Sequence, residues 1–350
     1  MITHEIYMKR CLQLAALGSG YTAPNPMVGA VLVNNGQVIG EGYHMQFGGP
    51  HAEVNCLASV KPQNRDLICQ STLYVSLEPC CHYGKTPPCS NLIIQHKIPR
   101  VVLACRDSFA KVNGGGVQQL IEAGIEVTEQ VLEKEAVLLN RRFFTFHREQ
   151  RPYTILKWAQ SADGKIATPD LSPLRISNDI TNRLVHKWRA AEAAILVGTN
   201  TALHDNPSLT TRLWKGKNPV RIVIDRFLKL PTHLAIFDKK APTIIVNCLK
   251  NSETDHLLYY QVGQQENITA AITSLLYQRG LNSLLVEGGA KMLQTFMDMG
   301  LWDEARIITN ESLYIGDGIK APAFDQPYFC TTSNILTDKL DIVTKLSTNT

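Results

Sequence analysis

The stretch Gly49-Pro50-His51-Ala52-Glu53 sets a histidine and a glutamate two residues apart. Further on, Leu77-Glu78-Pro79-Cys80 and then Pro87-Pro88-Cys89 place thiols in a loop rich in turn residues. One metal site explains both stretches. Catalytic zinc takes three protein ligands and leaves its fourth position to water, and one histidine with two cysteines is one such set. His51, Cys80 and Cys89 supply it. Two thiolates and a neutral imidazole balance the charge of the ion while leaving it acidic enough to lower the pKa of a bound water toward neutrality. Cys89 follows two prolines at the start of a predicted helix, where unpaired N–H groups and the dipole favour a thiolate.

Glu53 stands two residues beyond His51 and is read as the catalytic acid/base, taking a proton from water and passing it to a leaving amine. H-x-E followed by P-C is the pattern of zinc-dependent deaminases. In the usual nucleobase form two residues separate the cysteines, whereas eight separate Cys80 from Cys89. Any one of these residues alone reads more simply as part of a core, but the two motifs together favour a site. Cys81 and His82 compete as ligands, and Cys81 is the expected bystander.

The elements that must hold these residues follow from periodicity and turn chemistry. Residues 29–44 predict two strands about an Asn-Asn-Gly turn, and a helix entered through Pro50 follows from His51 to about Val60. Strands are expected at 71–78, 100–105 and 126–131, with helices at 89–98 and 116–125. The pattern is an alternating α/β domain. It breaks at the basic, aromatic segment around Arg141–Phe146, so the boundary is placed between residues 147 and 148, giving domains 1–147 and 148–350. Arginines among Phe143, Phe144 and Phe146 could stack on single-stranded nucleic acid. The preferred reading is a helix end and linker whose phenylalanines pack between domains. Beyond it, strands at 193–198, 220–225, 242–247, 283–289 and 304–309 alternate with helices at 177–191, 266–280 and 290–300, a second α/β unit. Residues 283–293 form a strand, a glycine pair and a helix, where backbone N–H groups can bind pyrophosphate. There is no G-x-G-x-x-G fingerprint.

At these residues the chain resembles the bifunctional deaminase/reductase family of riboflavin biosynthesis. The likeness is carried by residues 23–33, 42–44, 50–55 and 73–93 in the first half, and by 156–167, 194–212, 219–225 and 286–293 in the second. The resemblance implies a cytidine-deaminase-like zinc domain followed by a reductase domain like dihydrofolate reductase that uses NADPH. It also implies that Asn25, His44, His82 and Lys85 bind the deaminase substrate, a phosphorylated ribosylaminopyrimidine, with Lys85 at the phosphate. Ala159, Thr201, Asp205 and Gly289 are the implied cofactor contacts, and Arg189, Leu209, Arg212 and Glu287 the implied reductase substrate contacts. Lys157 is added as the group polarising the sugar, with Asp163 nearby in sequence. Arg175 stands where the family commonly carries tryptophan, and its guanidinium suits adenine stacking or a 2′-phosphate.

Composition narrows the alternatives. With 350 residues, 44% hydrophobic and 19% charged, the chain is globular and long enough for two cores. A net charge of +4 is too small to argue for nucleic acid or membrane partners. Nine cysteines without dense spacing fit reduced thiols in the cytoplasm. The N-terminal segment reads as an amphipathic helix, since Glu5 and Gln13 are unlike a signal peptide. The resemblance implies a small-molecule substrate, and a homo-oligomer is expected. The rival readings are a nucleic-acid (tRNA-type) base deaminase and a non-catalytic protein with a structural zinc clip.

Overall fold

Asn35 and Gly36 both take positive φ, 46° and 80°, which is what a two-residue turn between twisted antiparallel strands requires. The turn joins β1 (Gly29–Asn34) to β2 (Gln37–Tyr43). The computed structural model describes residues 2–83, 87–108, 114–172, 174–325 and 327–345, and the chain divides into two compact units, Met1–Gln150 and Arg151–Thr350.

In the first unit, β3 (Thr72–Val75), β4 (Arg100–Leu103) and β5 (Glu126–Thr128) complete a sheet of order β2-β1-β3-β4-β5. All six residues of β1 are buried, because helices cover both sides of the sheet. Alternation sends Ala30 and Leu32 toward α2 (Ala52–Ala58), α3 (Cys89–Gln95) and α4 (Gly115–Glu122), and Val31 and Val33 toward α1 (Ile2–Ala16). Two further helices, α5 (Glu133–Leu139) and α6 (Arg141–Glu149), close the unit. The expected helix end and linker is thus a nine-residue helix. Phe143 and Phe144 pack with Met8, Cys11 and Tyr74 in the core of this unit, and Phe146 is buried as well, so none of the three offers an open stacking face.

Gly42 lets α2 lie directly on β2. A Cβ there would stand 2.2 Å from the Cys56 amide nitrogen, so any side chain would push away the helix that carries Glu53.

The second unit is wound about a ten-stranded sheet. In chain order the elements are β6 (Tyr153–Ser161), β7 (Lys165–Ala167), α7 (Asp179–Ala191), β8 (Ala194–Val197), α8 (Thr199–Asp205), β9 (Val220–Ile224), β10 (Thr243–Asn247) and β11 (Ser252–Glu253). They continue with β12 (Leu257–Gln261), α9 (Ile268–Gln278), β13 (Ser283–Val286), α10 (Ala290–Asp298), β14 (Glu304–Asn310), β15 (Ile319–Lys320), β16 (Tyr328–Ile335) and β17 (Asp338–Lys345). The order is β11-β12-β10-β9-β8-β13-β6-β14-β17-β16, parallel from β12 to β14 and antiparallel at both edges. Residues of α9 and α10, among them Ile272, Leu293 and Phe296, cover one face. Val185 of α7 and Ala202 of α8 lie on the other. At the centre of the parallel sheet β8 is buried at every position, as is β13, and both read as short apolar runs for that reason.

Candidate functional site

His51 caps α2 in extended conformation, and Glu53 lies in the first turn of that helix, almost fully buried. Cys80 follows β3, and Cys89 is the first residue of α3. The chain thus brings three segments to one point: the Nδ1 atom of His51 is 3.6 Å from the Cys80 sulfur and 3.3 Å from the Cys89 sulfur. The ligand atoms of these three residues all lie within 4.8 Å of one another, and among the described residues they form the one such cluster of His, Cys, Asp or Glu. The Cys89 amide at the head of α3 donates to the Cys80 sulfur at 3.3 Å, as a helix N-terminus favours a thiolate. The Cys80 thiol is held well below the usual thiol range, first by the Cys89 thiol bonded to it and then by His51. Burial, and then the charge of Cys80, raise the Glu53 carboxyl, which borders Cys89. Cys81 stands outside the cluster.

Beside the cluster, His44 is buried with its ring edge-on to His51, the centroids 5.5 Å apart. Its Nδ1 bonds the Pro50 carbonyl at 3.0 Å, and its Nε2 faces the Asn25 amide nitrogen at 3.3 Å. The Pro50 carbonyl can only accept, so Nδ1 donates to it, and the Asn25 amide nitrogen can only donate, so Nε2 accepts; that pairing makes His44 a neutral imidazole that orients Asn25. Burial lowers its pKa and supports that state. His82 lies half-buried in the loop after Cys80, while Lys85 is outside the described residues.

Two further residues shape this site, and the sequence reading assigned no role to either. The buried Glu78 carboxylate accepts from the backbone N–H groups of Asp107, Gly114, Gly116 and Val117 at 2.9–3.1 Å. Asn140, 2% exposed, clamps Met27 at both its N–H and its carbonyl, each at 2.8 Å. The E-P-C motif was a signal for Glu78. Nothing local marks Asn140, which meets a residue 113 positions away.

In the second unit the register of β13 against β6 pairs Val286 with Leu156, so Glu287 emerges beside Lys157 at the C-terminal strand ends. Arg189 of α7 binds Glu287 through two parallel bonds of 2.9 and 2.8 Å, and the Lys157 ammonium lies 3.7 Å from the same carboxylate. Burial alone would raise the Glu287 pKa, but Arg189 and Lys157 outweigh it and hold the group down at about 2. Lys157 does not recover its own cost of burial, because it shares one anion with Arg189, and its pKa is lowered. Two cations around one carboxylate leave an uncompensated positive charge, which suits an anionic substrate.

Leu209 is buried with φ of +53°, and the exposed Arg212 donates to the Ser208 hydroxyl. Arg221, with no exposed surface, ties the Ser208 carbonyl to Asp238 and the Ala235 and Ala241 carbonyls, fixing this loop. His186, one turn before Arg189, is pushed down to about 4 by burial and then by Arg189 and Arg212.

Gly289 caps α10, and a Cβ on it would meet nothing nearer than the Thr201 hydroxyl at 3.8 Å. The β8 and β13 ends thus bring Thr201 and Gly289 together, with the Gly289 backbone uncovered by any side chain of its own. Asp205 is exposed at the end of α8, and Ala159 on β6 packs near Val185 and Ile308. Arg175 is exposed and bonds Asp179 and the Ser177 carbonyl, on the first turn of α7. Asp163 accepts from Ser161, Ile315 and Gly316, a role in holding a turn.

The family model for the cytidine and deoxycytidylate deaminase zinc-binding region matches residues 1–105, and that for the RibD C-terminal domain matches residues 152–345. The riboflavin biosynthesis protein RibD of Aquifex aeolicus is 40% identical over 328 residues, covering 90% of each chain. The chain belongs to the RibD family. The RibD of Actinobacillus pleuropneumoniae is 37% identical, over 90% of this chain and 86% of its own. A diaminohydroxyphosphoribosylaminopyrimidine deaminase/5-amino-6-(5-phosphoribosylamino)uracil reductase from Thermotoga maritima superposes with a TM-score of 0.89 at 35% identity, covering 99% of both chains. RibD of Acinetobacter baumannii gives 0.88 at 29% identity, again over 99% of both.

The RibD family joins a zinc-dependent deaminase to an NADPH-dependent reductase, and the fold is cytidine-deaminase-like in the first unit and dihydrofolate-reductase-like in the second. The residues present fit both groups. Two thiols and an imidazole nitrogen within 4.8 Å are a zinc donor set, and the open backbone at Gly289 fits a dinucleotide. No helix among the described residues is long and apolar enough to cross a membrane.

Proposed function

We propose that the chain carries out two consecutive steps on one phosphorylated pyrimidine, and that the residues described above perform them. The first is hydrolytic deamination of 2,5-diamino-6-ribosylamino-4(3H)-pyrimidinone 5′-phosphate. The second is NADPH-dependent reduction of its ribosyl side chain to the ribitylamino uracil phosphate. The observation that carries the reading is the convergence of His51, Cys80 and Cys89 on one point with Glu53 buried against Cys89.

His51, Cys80 and Cys89 would hold zinc. When bound, zinc supplies Lewis acidity to the attacking water. Glu53, removed from solvent and raised in pKa, accepts that water's proton and returns it to the departing amine. Asn25, its side chain oriented by neutral His44, presents donors and acceptors to the flat edge of the ring. His82 and Lys85 belong to the same substrate group by family likeness, with Lys85 for the phosphate.

In the second unit, Ala159, Thr201, Asp205 and Gly289 line the path of the cofactor, which supplies the hydride. Arg175 is assigned to its adenosine end. Arg189, Leu209, Arg212 and Glu287 hold the ribosyl phosphate, with Lys157 polarising the sugar. The surplus positive charge around Glu287 supports this assignment. The protein acts as a cytoplasmic homo-oligomer on a small molecule, and no nucleic acid is required. The burial of Phe143, Phe144 and Phe146 speaks against a base-stacking channel in α6.

Glu53→Gln is expected to retain zinc and lose ammonia release by about 10²–10⁴-fold, the scale of a general acid/base. Cys89→Ser is expected to lose both. Full ammonia release by Glu53→Gln, measured on zinc-quantified protein, rules out the proton-carrier role.

A further inference from the structure

We propose that Glu78 is the positioning residue for the Cys80 ligand, holding the metal loop against the head of α4. The inference rests on the assignment of Cys80 to zinc. Glu78 is 3% exposed and lies two residues before Cys80, yet its carboxylate makes no ion pair among the described interactions of the site. Instead it accepts four backbone N–H bonds, from Asp107 at 3.1 Å, Gly114 at 3.0 Å, Gly116 at 2.9 Å and Val117 at 3.1 Å. Buried carboxylates are costly unless their oxygens are satisfied, and four amide donors around two oxygens achieve this. Its own backbone is anchored as well, since the Glu78 amide donates to the Cys105 carbonyl at 3.0 Å.

Two more contacts link the same segment through α3 to α4. The Cys80 carbonyl accepts from the Ser90 amide in the first turn of α3, at 3.2 Å. The single Ser90 hydroxyl proton lies between that carbonyl, at 3.1 Å, and the Gln119 side-chain oxygen of α4, at 2.6 Å, and Gln119 in turn donates to Asn91 at 2.7 Å. A Cβ at Gly116 would stand 2.1 Å from the Pro79 carbonyl, so the peptide before Cys80 lies directly on the helix. Cys80 is thereby gripped on both sides, by Glu78 and Gly116 before it and by Ser90 and Gln119 after it. The family match to the zinc-binding region ends at residue 105, and three of the four Glu78 partners and Gln119 lie on α4 or just before it, beyond that limit. Supporting contacts of this kind orient ligands, and their loss typically costs 10–100-fold in metal affinity.

The test is zinc affinity of the full-length chain, by competition with a calibrated chelator, for wild type, Glu78→Gln and Gln119→Ala. Near-UV circular dichroism of the same samples, with urea unfolding followed by hydrogen exchange of α1–α6, reports folding of the Met1–Gln150 unit. Glu78→Gln turns one acceptor into an N–H₂ that faces amide donors, and a 10–100-fold loss of zinc affinity is expected with that unit still folded. Gln119→Ala leaves Glu78 in place, reads the grip on the other side of Cys80 and is expected to show a smaller loss; Glu78→Asp, which keeps a carboxylate but draws it back from the α4 amides, is expected to lose zinc affinity as well and tests Glu78 if Glu78→Gln does not fold. A structural carboxylate with no positioning role would lower the melting temperature of the zinc-free chain and leave zinc affinity at the wild-type value. That outcome overturns the proposal. Wild-type protein that binds no zinc, or Cys80→Ser that binds it normally, would refute the ligand assignment instead, so the two failures are distinguishable.

Discussion

The Glu287 carboxylate shows how a single residue acquires its character from neighbours. Burial on its own would favour the neutral acid, but the forked Arg189 and the Lys157 ammonium reverse that preference and set the group near 2 against an ordinary 4.5. A folded-state pKa below the unfolded one means stabilisation that is complete above about pH 4.5 and is lost as pH falls toward 2. At 1.36 kcal/mol per unit the shift corresponds to roughly 3 kcal/mol. Acid titration of the Arg151–Thr350 unit by urea unfolding is therefore expected to show falling stability across that window, and Glu287→Gln should flatten it. An unchanged pH profile in the variant would contradict the ion-pair account. The same substitution removes the carboxylate that orients the Arg189 fork, so it should also raise the KM for the phosphorylated substrate in spite of the added positive charge.

At the scale of elements, the deaminase pocket depends on helices far from its motifs. Asn140, between α5 and α6, holds Met27 by two short bonds, and Met27 stands two residues after the Asn25 that meets His44. Asn140→Ala would leave the half-buried Met27 N–H and carbonyl without their partner, at about 1 kcal/mol each. The expected result is a rise of about tenfold in the deaminase KM with zinc content unchanged; an unaltered KM would mean that the Asn25 loop holds its place without the clamp. This dependence was hidden in the sequence. His51, Glu53 and Cys80 were legible because their chemistry is written in short motifs, and the β1–β2 hairpin because Asn-Gly turns are local. Glu287 beside Lys157 was not legible from spacing, since β13 inserts between β8 and β6 and the neighbours are set by that crossover. Nor was β16, whose residues are almost all exposed and carry no alternation. The basic, aromatic stretch read as a linker became α6 because its phenylalanines had a core to enter.

Across the whole molecule, the residues proposed for each activity fall in one unit. His51, Glu53, Cys80 and Cys89 lie in Met1–Gln150, and Lys157, Arg189, Thr201, Glu287 and Gly289 lie in Arg151–Thr350. Two sites built from separate cores can act in sequence while remaining chemically independent. The most direct measurement is a coupled assay on zinc-loaded protein with the diaminopyrimidine ribosyl phosphate, following ammonia first without NADPH and then NADPH oxidation after its addition. The expected result is ammonia release that needs no NADPH, followed by NADPH consumption only once deaminated product is present. NADPH consumed without ammonia release, or ammonia release that requires NADPH, would contradict the assignment of two independent, ordered steps.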